Sequence, residues 1–109
     1  MIAAILKKRG ADVISVSSVK EAFEAFSHGK FDILISDIAM PGATGYDLIK
    51  DIRNLPKSKG SDIPAIALTA YASVQDRQEA LAAGFNNHIA KPIEPNDLIL
   101  CIIKELELV

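Results

Sequence analysis

Cysteine is nearly absent from this chain. Cys101 stands alone among 109 residues, which excludes an internal disulfide and any cysteine-based zinc cluster. It lies in an apolar helical stretch and reads as a packed thiol rather than a reactive one. A surplus of positive charge is missing too. Twelve Lys and Arg against 14 Asp and Glu leave a net charge of −2, without the basic patch that direct nucleic-acid binding requires. No apolar run approaches the roughly 20 residues needed to span a bilayer. Lys7-Lys8-Arg9 follow the apolar opening residues instead of preceding them, the wrong order for a secretion signal. The cytoplasm is therefore the expected location. There are no internal repeats and no low-complexity segments. The one polar stretch bearing both Gly and Pro, residues 55–62, reads as a surface connection, so residues 1–109 form a single domain.

What is present is an alternation of strand-like and helix-like segments. Ile2, Ile5 and Leu6 share a helical face that Gly10 would stop. Val13-Ile14-Ser15-Val16 reads as a strand. Ser18-Val19-Lys20-Glu21 matches a capping box, followed by a helix with an Ala22, Phe23, Ala25 and Phe26 stripe that ends at Gly29. Residues 33–37 form the next strand, and Tyr46, Leu48, Ile49 and Ile52 outline a third helix. Residues 65–69 make a strand. Ser73 would cap a helix with the face Val74, Ala80, Leu81 and Ala83, ending at Gly84. A short strand at 88–90 precedes a last helix opened by Pro95, with Leu98, Ile99, Ile102, Ile103 and Leu106 on its apolar face. Strands separated by helices of crossover length specify an α/β domain with a parallel sheet.

Three of the apolar runs stop at polar residues suited to phosphoryl chemistry: Ile33-Leu34-Ile35-Ser36-Asp37, Ala65-Ile66-Ala67-Leu68-Thr69 and His88-Ile89-Ala90-Lys91-Pro92. In a parallel sheet their carboxyl ends share one rim, where open α/β folds bind ligands. Met40-Pro41-Gly42 and Gly45 specify a tight loop that keeps Asp37 at an open mouth.

With these residues in this order, the chain resembles the receiver domain of two-component response regulators. The resemblance implies a flavodoxin-like parallel sheet with helices on both faces. It implies that Asp37 is the phosphoacceptor, that Thr69 binds a phosphoryl oxygen, and that Lys91 neutralises phosphoryl charge ahead of a cis Lys91–Pro92 bond. His88 stands where the family usually has Tyr or Phe, the ring that switches together with the hydroxyl residue. Tyr71 would line the mouth. Ala39 would offer a backbone carbonyl to Mg²⁺, the family's metal, beside Asp37. The implied partners are a sensor histidine kinase or a phosphotransfer protein, and the implied role is a phosphorelay switch rather than an enzyme.

One part of the family pattern is missing. Receivers begin with a central apolar strand ending in an acidic pair that holds Mg²⁺ with the phosphoacceptor, whereas this chain opens partway along the following helix. One carboxylate and one carbonyl make a poor site for an ion that wants near-octahedral oxygen ligation. Two consequences are expected. Either strand 13–16 shifts to pair with 33–37, or a second chain covers the exposed sheet edges or the 73–106 face. The alternative function is a phosphorylation-independent interaction module. A third reading, a hydrolase with Asp37 as nucleophile like the haloacid-dehalogenase enzymes, needs an acid two residues on, where Ala39 stands.

Overall fold

A computed structural model describes residues 2–16, 18–38, 44–69 and 74–106. The first helix, α1 (Ile2–Lys8), closes as expected at Gly10. Gly10 takes φ 87°, its N–H bonds the Lys7 carbonyl, and the Ala11 N–H reaches back to Leu6 at 3.1 Å. This paired arrangement satisfies the last carbonyls of a helix and needs a left-handed residue, which glycine supplies without steric cost. Helix α2 (Val19–His28) starts at Ser18, whose hydroxyl accepts from the Glu21 N–H at 3.1 Å, and it ends at Gly29.

Strand β1 (Leu34–Asp37) leads to α3 (Gly45–Arg53), where Thr44 and Asp47 cap each other reciprocally. A turn of 3₁₀ helix (Lys57–Lys59) precedes β2 (Ala65–Thr69). Then come α4 (Val74–Ala83), β3 (Asn87–Ala90) and α5 (Pro95–Leu106). The sheet order is β1-β2-β3, all parallel.

Side-chain alternation along the strands assigns the two faces. Ala65 and Ala67 pack with Ile49 of α3 and Ala80 of α4, while Leu34, in register with Ala65, joins Phe26 of α2 and Leu48 and Ile52 of α3. Helices α2, α3 and α4 therefore cover one face. Asn87 projects from the other face and donates to Glu105 of α5 at 3.4 Å, and α1 packs on α5. All five residues of β2 are buried, as a strand covered on both faces should be.

Two expectations are corrected. Residues 13–16 form no strand, and among the described residues β1 pairs with β2 alone, so the sheet has not closed up by shifting 13–16 against 33–37. Instead a cavity of about 680 Å³ lies between that segment and β1. A strand is stable only when a neighbour takes its main-chain bonds, and among the described residues none pairs with Val13–Val16. The second correction concerns α4. Of the face read from the sequence, Ala80 is fully buried and Ala83 partly so, whereas Val74 is 74% exposed and Leu81 40%. The predicted Ser73 cap lies outside the described residues.

Cys101 sits half-buried in α5. Burial, and then the Glu105 carboxylate, push its thiol pKa up, with Lys104 opposing. Little thiolate exists at neutral pH, and the thiolate is the reactive form. The thiol is expected to react with a disulfide reagent more slowly than free cysteine in the native protein, and at the free rate in denaturant.

Candidate functional site

The rim predicted at the carboxyl edge of the sheet exists. Asp37 ends β1, Thr69 ends β2, and Lys91 follows β3. The register places Asp37 beside Leu68 and Thr69 beside Ala90. The ladder continues past the strands: the Ile38 N–H donates to the Leu68 carbonyl at 3.1 Å, and the Lys91 N–H to the Thr69 carbonyl at 2.7 Å. These bonds fix the three positions relative to one another.

Strand β2 lies between β1 and β3, so the backbones of the outer strands stand about 10 Å apart, twice the usual spacing. The Lys91 side chain bridges that distance and its ammonium forms an ion pair with Asp37 Oδ1. The bridge crosses the end of the strand that Thr69 terminates. Asp37 Oδ1 is itself out of solvent, and the ammonium is the charge that compensates it. The two side chains as a whole are 40% and 48% exposed, so the pair remains open to an incoming group. Thr69 is 6% exposed. The Lys91–Pro92 peptide bond is cis, as the resemblance implied.

The start of α3 lies close against the end of β1. Gly45, the first residue of α3, donates to the Ile38 carbonyl at 2.7 Å. A Cβ at position 45 would overlap the Asp37 carbonyl oxygen, so glycine is required for the helix to start this close to the acid.

His88 lies two residues below the rim, in register with Ala67 and thus on the face of α3 and α4. Its Nε2 is buried without a hydrogen-bond partner among the described residues. An orphaned buried polar atom costs about 1–3 kcal/mol. His88→Phe, which keeps the ring and removes that atom, is expected to raise stability by about 1 kcal/mol in urea unfolding. Unchanged or lower stability would show that Nε2 is satisfied in solution. Ala39, Met40, Pro41, Gly42 and Tyr71 lie outside the described residues.

Sequence reasoning missed one structural centre at the opposite end of the sheet. The Arg53 guanidinium, at the end of α3, directs all five N–H groups at oxygen acceptors. It reaches the Gly84 carbonyl twice, at 3.0 and 2.8 Å, then Ser61 at 2.8 Å, Ile63 at 2.6 Å and Asn86 Oδ1 at 3.0 Å. Asn86 Oδ1 also accepts from the Ala65 N–H at 2.8 Å. Burial lowers the Arg53 pKa from its usual value, partly offset by Asp62.

The whole arrangement has known counterparts. Residues 1–103 match the response regulator receiver domain family, and the chain belongs to it. It is 45% identical over 95 residues to an uncharacterised 14.6 kDa protein of Leptolyngbya boryana, covering 87% of this chain and 71% of that protein. A crystal structure described as a response regulator from Chloroflexus aurantiacus superposes with a TM-score of 0.90 at 32% identity, over 98% of this chain and 86% of that one. The receiver domain of the sensor histidine kinase PA1611 from Pseudomonas aeruginosa superposes with a TM-score of 0.86 at 30% identity, over 97% and 85% of the two chains. That structure carries magnesium in its active-site cleft. Other relatives are far longer, and this chain spans only 6% of a hybrid kinase and 40% of a two-component regulator among them. Receiver domains thus occur both in kinases and in regulators, and they act as phosphoacceptor switches rather than classical enzymes.

Receivers generally bind Mg²⁺, but the residues described here do not fit it. Among them no three His, Cys, Asp or Glu side chains gather into a metal-binding group. Asp37 offers a single carboxylate, one oxygen of which faces Lys91. A divalent ion of this size needs several oxygens in near-octahedral order. No helix among the described residues is long and apolar enough to cross a membrane.

Proposed function

We propose that this chain is a cytoplasmic phosphorelay receiver that accepts a phosphoryl group on Asp37 from a phosphohistidine of a sensor kinase or phosphotransfer protein. The observation that carries the reading is the Lys91–Asp37 ion pair spanning the end of β2, with Thr69 at that end. An Asp37 oxygen attacks phosphorus, the phosphorus–nitrogen bond breaks, and the electron pair leaves with the imidazole. The product is an acyl phosphate, high in energy and readily hydrolysed, so the mark is temporary. Phosphoryl transfer asks a protein mainly for positioning and for charge compensation around the equatorial oxygens. Lys91 supplies the positive charge, and the Thr69 hydroxyl supplies a donor at the end of β2. Thr69 and His88, adjacent strands' residues on one face, form the switching pair.

The test is intact-protein mass after incubation with acetyl phosphate. The gain of one phosphoryl group is expected, and no gain from folded protein would overturn the reading. Because the described residues do not assemble a metal site, the rate of gain is expected to be the same in Mg²⁺ and in EDTA. Strong Mg²⁺ dependence would show that further oxygens, outside those residues, complete the site.

A further inference from the structure

Among the described residues two buried side-chain polar atoms make no hydrogen bond, Asp37 Oδ1 and His88 Nε2. Lys91 compensates the first. The second lies inside the fold with its chemistry unused. A neutral imidazole has one N–H and one bare nitrogen, and protonation makes both nitrogens donors. Whether Nε2 then finds an acceptor depends on the charged groups of the elements packed around β3.

Strand β3 has β2 beside it, and α4 and α3 cover this face. Strand β2 carries no ionisable group. Of the charged and titratable residues of α3, only Tyr46 and Arg53 are not exposed. Arg53 lies at the far end of the sheet with its N–H groups engaged by oxygens. Of those on α4, Asp76 is half-buried, while Arg77 and Glu79 are exposed. At the rim above stand Lys91 and Asp37, paired with each other. Asp76 is four residues before Ala80, so the two share a face of α4. Ala80 packs with Ala67, the residue in register with His88. The helix runs from the rim to Gly84 at the opposite end, which puts Asp76 one turn nearer the rim than Ala80. Burial, then Glu79 and Asp76, raise the Tyr46 phenol above its usual pKa, so both carboxylates act on the start of α3 across this seam.

We propose that protonation of His88 turns Nε2 into a donor for the Asp76 carboxylate and clamps the first turns of α4 onto β3, so that the docking of this helix depends on pH. While the imidazole is neutral, Nε2 is left without a partner and α4 is held by apolar contact around Ala80, its one buried residue. A helix held so lightly responds to a single added ion pair. A carboxylate accepts several donors, so the pair displaces nothing that Asp76 already holds. The sign follows: docking tightens as pH falls through the titration of His88 and loosens as it rises. The gain in stability expected of His88→Phe is then a neutral-pH effect that shrinks on acidification.

The test is amide exchange read by NMR on the unphosphorylated chain. Protection of Ala80 and Leu81 in α4 is compared at about pH 5.5 and about pH 7.5, within the range where imidazoles change charge. The protection factor, which divides out the intrinsic pH dependence of exchange, is expected to be about threefold higher at the lower pH, as a partly exposed ion pair gives. His88→Gln keeps a polar group that cannot be charged, so it should flatten the response. It also excludes His28, which is exposed at the end of α2. Asp76→Asn should flatten the response too, and Glu79→Gln should leave it. Three results would overturn the inference: protection unchanged or lower at the lower pH, an undiminished response in His88→Gln, or an undiminished response in Asp76→Asn. With no phosphodonor present, none of these bears on Asp37 as acceptor, and failure of Asp37 to take up a phosphoryl group leaves this test intact.

Discussion

Arg53→Met is expected to lower the stability of the fold by about 3 kcal/mol, more than any exposed substitution near the site. Methionine keeps the aliphatic arm and removes five donors at once. Each hydrogen bond from a charged donor contributes about 1.5–3 kcal/mol, and the orphaned acceptors are partly relieved by water because the residue is half-exposed. Four segments separate when the fork is lost: the end of α3, the turn before β2, the turn after α4, and Asn86 with the Ala65 N–H it holds. Urea unfolding should show a lower midpoint with an unchanged slope, and the melting temperature should fall by on the order of 10 °C. Arg53→Lys should recover little, since one ammonium cannot reach acceptors arranged around a planar fork. A loss below about 0.5 kcal/mol would mean the fork is a surface decoration.

Asp37→Asn is expected to abolish phosphoryl incorporation while leaving the fold almost untouched. The amide has the shape of the carboxylate but no nucleophilic oxygen of comparable strength. The ion pair that it breaks is between side chains 40% and 48% exposed, and pairs of that kind contribute about 0–1 kcal/mol. The two effects separate cleanly: chemistry falls to background, and the unfolding midpoint moves little. Stability falling by several kcal/mol would mean that Asp37 is chiefly a structural anchor. Retained incorporation would mean that another nucleophile takes the group.

The ends of helices and strands were legible because they are set by local chemistry. Gly10 and Gly84 stop α1 and α4 with φ of 87° and 127°, and each could be read from a glycine after an apolar stripe. Leu48, Ile49 and Ile52 are buried to within 1% because their spacing leaves one face for the sheet. Asp37, Thr69 and Lys91 could be placed on one rim since parallel strands align their carboxyl ends. Residues 13–16 show where that logic stops. Their composition favours a strand, but strand formation depends on a neighbour that the segment itself does not encode. Val74 and Leu81 fail for a related reason: four of the five apolar residues of α4 are consecutive, Ala80-Leu81-Ala82-Ala83, so their spacing selects no one face. Arg53 was illegible because its acceptors are oxygens up to 33 residues away, three of them main-chain carbonyls that every residue possesses.

Asp37, Thr69 and Lys91 share one rim, while among the described residues no three His, Cys, Asp or Glu side chains gather to hold a metal next to them. With Lys91 as the cation paired with Asp37 among the described residues, phosphoryl transfer should be slow in the isolated chain.

The most direct measurement is chemical trapping of the modified residue. After acetyl phosphate treatment, borohydride reduces an acyl phosphate to an alcohol, and peptide mapping then locates the homoserine formed. Homoserine in place of Asp37, and nowhere else, is the predicted result. Homoserine at a different acid, or none from protein shown to be folded, would contradict the assignment of Asp37 as phosphoacceptor.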